Sequence, residues 1–118
     1  MDAPSASYAE QTVEALAQRL AEAELDELQL IDVREPGEAE IVSLEHFELL
    51  PLSQSGAWAG DIRDRFSPEK ETWVLCHHGM RSAQMCQWLN SQGFTRVNNI
   101  SGGIDAFARR INSELALY

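Results

Sequence analysis

Positive charge is scarce in this chain. Nine Lys and Arg stand against nineteen Asp and Glu, for a formal net charge of −10. Nucleic-acid phosphates are held by clustered basic residues, so the deficit argues against such a partner, and against an anionic membrane surface. Long hydrophobic runs are missing too, and none approaches the roughly 20 apolar residues of a membrane helix. Cysteine is limited to Cys76 and Cys86. They lie ten positions apart along a loop and the helix that follows it, which is no disulfide framework for a secreted domain. Met1 to Ala9 carry no Lys or Arg and no apolar core, so no secretory signal is read there. The expectation is a reducing, cytoplasmic compartment, a flexible tail over 1–8 and a single domain over 9–118.

What is present is enough apolar material, at 44% of 118 residues, for one hydrophobic core without staples. Thr12 is an N-cap candidate, followed at helical spacing by Val13, Leu16, Ala17, Leu20 and Ala21. Leu28 to Val33 predicts a mostly buried strand, and Pro36-Gly37 a break with a short polar helix to Glu40. Phe47 to Leu50 predicts a short strand. Trp58, Ile62 and Phe66 recur every fourth residue and predict a helix over Gly56 to Arg65. Ser67 to Lys70 is a turn and Thr72 to Cys76 a central strand. Arg81 to Gln92 predicts a helix stopped by Gly93. Val97 to Ile100 is a further strand, Ser101-Gly102-Gly103 a tight loop, and Ile104 to Ile111 a last helix. Strands alternating with helices predict an α/β fold whose sheet is mainly parallel, with helices on both faces.

The chemistry concentrates in Cys76-His77-His78-Gly79-Met80-Arg81-Ser82. Trp73-Val74-Leu75 lead into Cys76, and a helix follows the loop. Reactive groups in open α/β sheets lie outside the carboxyl ends of the strands, beside a helix start. Loop amides and the helix dipole stabilise an anion there, and a thiolate is the nucleophilic form of cysteine. Arg81 adds a permanent cation able to fork to carbonyls or an oxyanion. Gly79 tolerates positive φ. Cys86, inside the helix on the face of Ala83 and Leu89, reads as core, with a resolving thiol or a sulfur relay as the alternative. His77 and His78 invite a metal reading, with His46 as the third histidine. Adjacent residues seldom ligate one ion, and no zinc-type pair spacing is present, so neither metal nor cofactor is expected. The two histidines read as loop walls and hydrogen-bond donors.

Asp32 and Arg34 end a strand near that of Cys76. A solvated ion pair would be worth little; bracing of the active loop is the preferred reading. Glu35 and Glu38 read as surface. Gly102-Gly103 form a turn whose glycines also permit close backbone approach. Trp58, Trp73 and Trp88 read as core, so no aromatic patch advertises a protein partner. The oligomeric state is left open, with a monomer favoured.

Leu30-Ile31-Asp32-Val33-Arg34-Glu35-Pro36, the Cys76 to Ser82 loop, Gly93-Phe94 and Ser101-Gly102-Gly103-Ile104 together resemble the rhodanese family of single-domain sulfurtransferases. The resemblance spans most of the chain. It implies a parallel five-stranded sheet, a persulfide on Cys76 during turnover, and backbone amides of His77 to Ser82 cradling the transferred sulfur. The implied partners are a small-molecule or protein sulfur donor, such as thiosulfate or a persulfide, and cyanide or a thiol as acceptor. Two departures stand out. Many members carry Gly-His-Ile-Pro where this chain has Ile41 to Phe47. Some thiosulfate-using members place Arg or Lys where His77 and His78 stand. Less fixed positive charge in an acidic protein weakens capture of dianionic thiosulfate. Two rivals remain: a phosphatase or arsenate reductase of the related Cys-loop-Arg type, and a binding module without catalysis. The phosphatase relatives use a loop one residue longer than the four residues between Cys76 and Arg81. Fold analogy alone does not decide a reaction.

Overall fold

The computed structural model of the protein describes residues 8–118. The expected tail over 1–8 thus lies outside the described residues except for Tyr8, which instead opens a strand. In chain order the elements are β1 (Tyr8–Gln11), α1 (Val13–Glu22), β2 (Leu28–Asp32), α2 (Pro36–Ile41), β3 (Glu48–Leu49), α3 (Ser55–Trp58), α4 (Ile62–Arg65), β4 (Glu71–Leu75), α5 (Met80–Ser91), β5 (Val97–Ile100) and α6 (Gly103–Arg110). The five strands form one sheet in the order β1-β5-β4-β2-β3, every pair parallel.

The centre of the sheet follows from the residue pattern. All five residues of β4 are buried, as expected of a parallel strand covered on both faces. Its side chains alternate. Val74 and Cys76 join Ile31 and Val33 in a core closed by Trp58, Ile62, Met85, Cys86 and Leu89 of α3, α4 and α5. Trp73 and Leu75 join Leu28 and Leu30 on the other face, under Val13 and Leu16 of α1 and Ile104 and Phe107 of α6. At about 1.5–3 kcal/mol for each fully buried large apolar side chain, these two layers are the main stabilising term.

Local signals set most boundaries. The Thr12 hydroxyl accepts the Ala15 amide at 3.0 Å and caps α1. Gly93, at φ +97, stops α5, and the Phe94 amide returns to the Leu89 carbonyl at 3.0 Å. The helix expected over Gly56 to Arg65 is instead two short helices, α3 and α4, joined by a 3₁₀ turn at Ala59–Asp61. Gly60 lies in that turn, where a helix interior is weakest. The tighter path still brings Trp58, Ile62 and Phe66 into the core. The connection over Ile41 to Phe47 turns at His46, whose φ is +72. Among the described residues no helix is long and apolar enough to cross a membrane.

Candidate active site

Cys76 follows β4 directly and is 1% exposed. Its sulfur accepts the Gly79 amide at 3.0 Å and lies 3.2 Å from the Ser82 hydroxyl. Gly79, at φ +106, bends the loop back so that its amide points at the sulfur. The first backbone bond closing α5 runs from the Ala83 amide to the Gly79 carbonyl at 3.3 Å. By helix geometry the amides of Met80, Arg81 and Ser82 lack an intrahelical acceptor and carry the positive end of the dipole. Met80, 78% exposed as a residue, turns outward and contributes backbone here.

The loop is held from behind by the start of α6. The Ile104 amide donates to the Cys76 carbonyl at 2.9 Å, and the Asp105 amide to the His77 carbonyl at 3.1 Å. This approach requires Gly103. A Cβ there would meet the His77 carbonyl oxygen at 2.3 Å and that of Cys76 at 2.5 Å. The close approach expected of the double glycine is therefore realised. From the other side, Asn99 of β5 donates to the Gly79 carbonyl at 3.1 Å and to Glu10 of β1 at 2.9 Å.

Asp32 and Arg34 form a buried pair, their side chains 4% and 0% exposed. The guanidinium forks onto Asp32 through Nε, at 3.0 Å, and Nη2, at 2.7 Å. It also donates to the Val42 carbonyl at 2.9 Å. The Val33 amide between them bonds the Leu75 carbonyl at 2.9 Å, which ties this turn to the residue before Cys76. The pair is buried at the end of β2 rather than lying in solvent.

Arg81 forks onto a carboxylate rather than onto carbonyls. Its Nη1 and Nη2 reach Glu38 at 2.7 and 2.9 Å. Glu38, expected at the surface, has a side chain only 20% exposed. It also accepts the Glu35 amide at 2.9 Å, closing a capping box on α2, and the Tyr118 hydroxyl at 2.8 Å. The Arg81 guanidinium holds the Glu38 carboxyl down to about 2. The cation is thus matched by a carboxylate of α2.

His77 stacks on Tyr118 with ring centroids 3.8 Å apart, and burial pushes its imidazole below the ordinary value. His78 lies on the outside, its Nε2 4.0 Å from Asp105. One donor atom each from His77, His78 and Asp105 falls within 4.8 Å of the others, the spacing of a three-ligand cation site. Asp105, however, is engaged by Arg109 at 3.0 Å, and the His78 side chain is 62% exposed. The arrangement serves an exposed ion pair first. Cys86 is fully buried in the core, and desolvation raises its thiol.

The structure thus gathers Cys76, His77, His78, Gly79, Arg81 and Ser82 at the end of β4, with Asp32 and Arg34 one strand away. Sequence reasoning missed Glu38, Asn99, Glu10 and Tyr118. The Glu35-x-x-Glu38 spacing at a Pro-started helix and Asn99, a polar residue in a strand flanked by Val97 and Ile100, were the available signals. Tyr118 had none.

Comparison with known proteins gives the family and agrees with the fold. A family profile described as Rhodanese-like domain matches residues 12–110. The chain is 52% identical over 94 residues to the chloroplastic Rhodanese-like/PpiC domain-containing protein 12 of Arabidopsis thaliana, covering 80% of this chain and 31% of that protein. It is 34% identical over 96 residues to a sulfurtransferase of Allochromatium vinosum, covering 81% and 84% respectively. The Rhodanese-like Domain Protein of Staphylococcus aureus superimposes with a TM-score of 0.73 at 23% identity, over 93% of this chain and 98% of that one. The chain spans about a third of the length of its Arabidopsis relative. On its matched residues, its parallel sheet and its cysteine loop, the chain belongs to the rhodanese-like domain family.

Proposed function

We propose that this protein is a sulfurtransferase that carries sulfane sulfur as a persulfide on Cys76. The observation that supports this best is the Cys76 sulfur at the strand end, facing the Gly79 amide at 3.0 Å and the start of α5. In the first step the Cys76 thiolate attacks the outer sulfur of the donor. An Sγ–S bond forms, the donor's S–S bond breaks, and the electron pair leaves on a thiolate or sulfite. In the second step an acceptor thiolate or cyanide attacks the terminal sulfur, and the Cys76 thiolate is released. No outside oxidant or reductant is consumed. The loop amides balance the charge that appears on sulfur in both steps. The same route requires free thiols, as in a reducing compartment such as the cytoplasm.

The donor class follows from charge. Arg81, the loop's permanent cation, is already matched by Glu38 at 2.7 Å, and the chain carries a net charge of −10. Dianionic thiosulfate therefore gains little on entering, and an organic persulfide, of low molecular weight or on a protein, is the better donor. Steady-state rates with each donor against varied acceptor test this. Parallel double-reciprocal lines, with a higher kcat/KM for the persulfide, are expected of the two-step route. Intersecting lines would contradict a covalent intermediate. Cys76-dependent hydrolysis of an aryl phosphate without sulfur transfer would favour the phosphatase alternative, and neither activity would favour a binding module.

A further inference from the structure

The C-terminal segment returns to the site. After α6, the Ile111 and Asn112 amides both bond the Phe107 carbonyl, at 2.9 and 3.0 Å, and end the helix. Leu115 and Tyr118 then pack against the core face that holds Phe107. Tyr118 lies beyond residue 110, where the family match ends, so the family pattern assigns it nothing.

Its side chain nevertheless joins three parts of the site. The hydroxyl donates to Glu38 at 2.8 Å and accepts from Arg34 Nη1 at 3.1 Å, so its proton and a lone pair are both used. The ring lies parallel to His77, 6° off at 3.8 Å, and the Arg34 guanidinium carbon lies 5.9 Å from its centroid. Without the hydroxyl, Arg34 Nη1 keeps only a 3.4 Å approach to the Glu38 carbonyl. Asp32, Arg34, Tyr118, Glu38 and Arg81 are thereby linked in one chain of hydrogen bonds running from the end of β2 to the start of α5.

We propose that Tyr118 is a positioning residue of the sulfur-transfer site, holding Glu38 against Arg81 and His77 against the side of the Cys76 loop. This rests on the sulfurtransferase reading. Tyr118 acts through these neighbours and not on the sulfur itself. Its hydroxyl fixes where the Glu38 carboxylate sits, and so how the Arg81 charge is spent. Its ring covers His77, whose titration also feels His78 in the loop, Asp105 on α6, Glu38 on α2 and a hydrogen bond with the Tyr118 backbone, which any side chain at 118 retains. A tyrosine that merely packed against the core would affect melting alone.

The test compares the wild type with Tyr118→Phe and Tyr118→Leu in three measurements. These are single-turnover sulfur loading of Cys76 from a low-molecular-weight persulfide, the NMR titration of the His77 imidazole, and thermal melting. Phe keeps the stack and loses the hydroxyl. It is expected to leave the His77 titration low while slowing loading about tenfold, the lower end of the scale of one hydrogen bond to a charged group. Leu loses both, so His77 should also titrate closer to the ordinary imidazole value. Folded variants that load at the wild-type rate with His77 unmoved would overturn the role. If the Leu variant fails to fold, the Phe variant still decides through its loading rate. A wild type that takes no sulfur from the persulfide would overturn the sulfurtransferase reading and the role with it. A wild type that loads, with variants that load equally, would overturn the role alone.

Discussion

Replacing Gly103 by alanine probes the contact that holds the Cys76 loop in place. The added Cβ would sit 2.3 Å from the His77 carbonyl oxygen, 2.5 Å from the His77 carbonyl carbon and 2.5 Å from the Cys76 carbonyl oxygen. All three are backbone atoms, so no side chain can swing aside. Ordinary contact needs the start of α6 to retreat by roughly an ångström. That retreat stretches the bonds from Ile104 and Asp105, now 2.9 and 3.1 Å, past useful length. Each contributes about 0.5–1.5 kcal/mol net. The φ of +62 adds about 1–2 kcal/mol for any residue with a Cβ. The total is about 2–5 kcal/mol, or roughly 10–20 °C in Tm for a domain of this size. Gly37→Ala is the control, because nothing lies within 4 Å of its Cβ position. It should melt within about 2 °C of the wild type. Thermal denaturation of both, with sulfur loading of Cys76 alongside, is the assay. Gly103→Ala should melt lower and load more slowly. Equal melting of the two variants, with loading intact, would refute the claim that the loop is held by close backbone contact.

Glu38→Gln removes the partner of Arg81. The Glu38 carboxyl, held at about 2 against an ordinary 4.5, contributes stability that is present above pH 4.5 and lost as pH falls through 2. The wild type should therefore weaken steeply across that window while Glu38→Gln stays flatter, having lost about 1–3 kcal/mol at neutral pH; equal slopes in acid denaturation would count against it. The freed Arg81 should also raise kcat/KM for thiosulfate about threefold to tenfold, and a fall would show that the pair does not limit donor capture. Arg34→Met leaves the Asp32 carboxylate buried without its cation and should cost about 3–5 kcal/mol, read from the urea midpoint; a change under 1 kcal/mol would return the pair to a surface role. Cys86→Ala should cost about 1 kcal/mol for a small core cavity and leave one sulfur loaded per chain by intact mass, whereas lost loading would give Cys86 a part in transfer.

What the sequence made legible was the chemistry that is local along the chain. The apolar run into Cys76, the glycine three residues on and the helix that follows are neighbours in sequence and remain neighbours in space. The Asp32–Arg34 pair lies two residues apart, so its place at a strand end could be read as well. Contacts that close over long separations were not legible. Glu38 meets Arg81 across 43 residues and Tyr118 across 80, and its local signal, the capping-box spacing from Glu35, points to a helix start and not to either partner. The fifth strand was hidden for a different reason. Tyr8–Gln11 is a short edge strand, buried only in part, and its pairing to β5 supplies the order that its residues do not advertise. The segment over Gly56 to Arg65 kept its apolar spacing but broke its helix at Ala59–Asp61, because spacing reports which side chains are buried and not how evenly the backbone winds.

The central claim is that sulfur passes through Cys76. Intact mass spectrometry of the reduced protein, after incubation with thiosulfate and separately with a low-molecular-weight persulfide, tests it most directly when Cys76→Ser is run beside the wild type. The account predicts a gain of one sulfur atom on the wild type, stronger with the persulfide, absent in Cys76→Ser and removed by cyanide. A wild type that gains no sulfur from either donor, or a Cys76→Ser variant that gains as much, would contradict it.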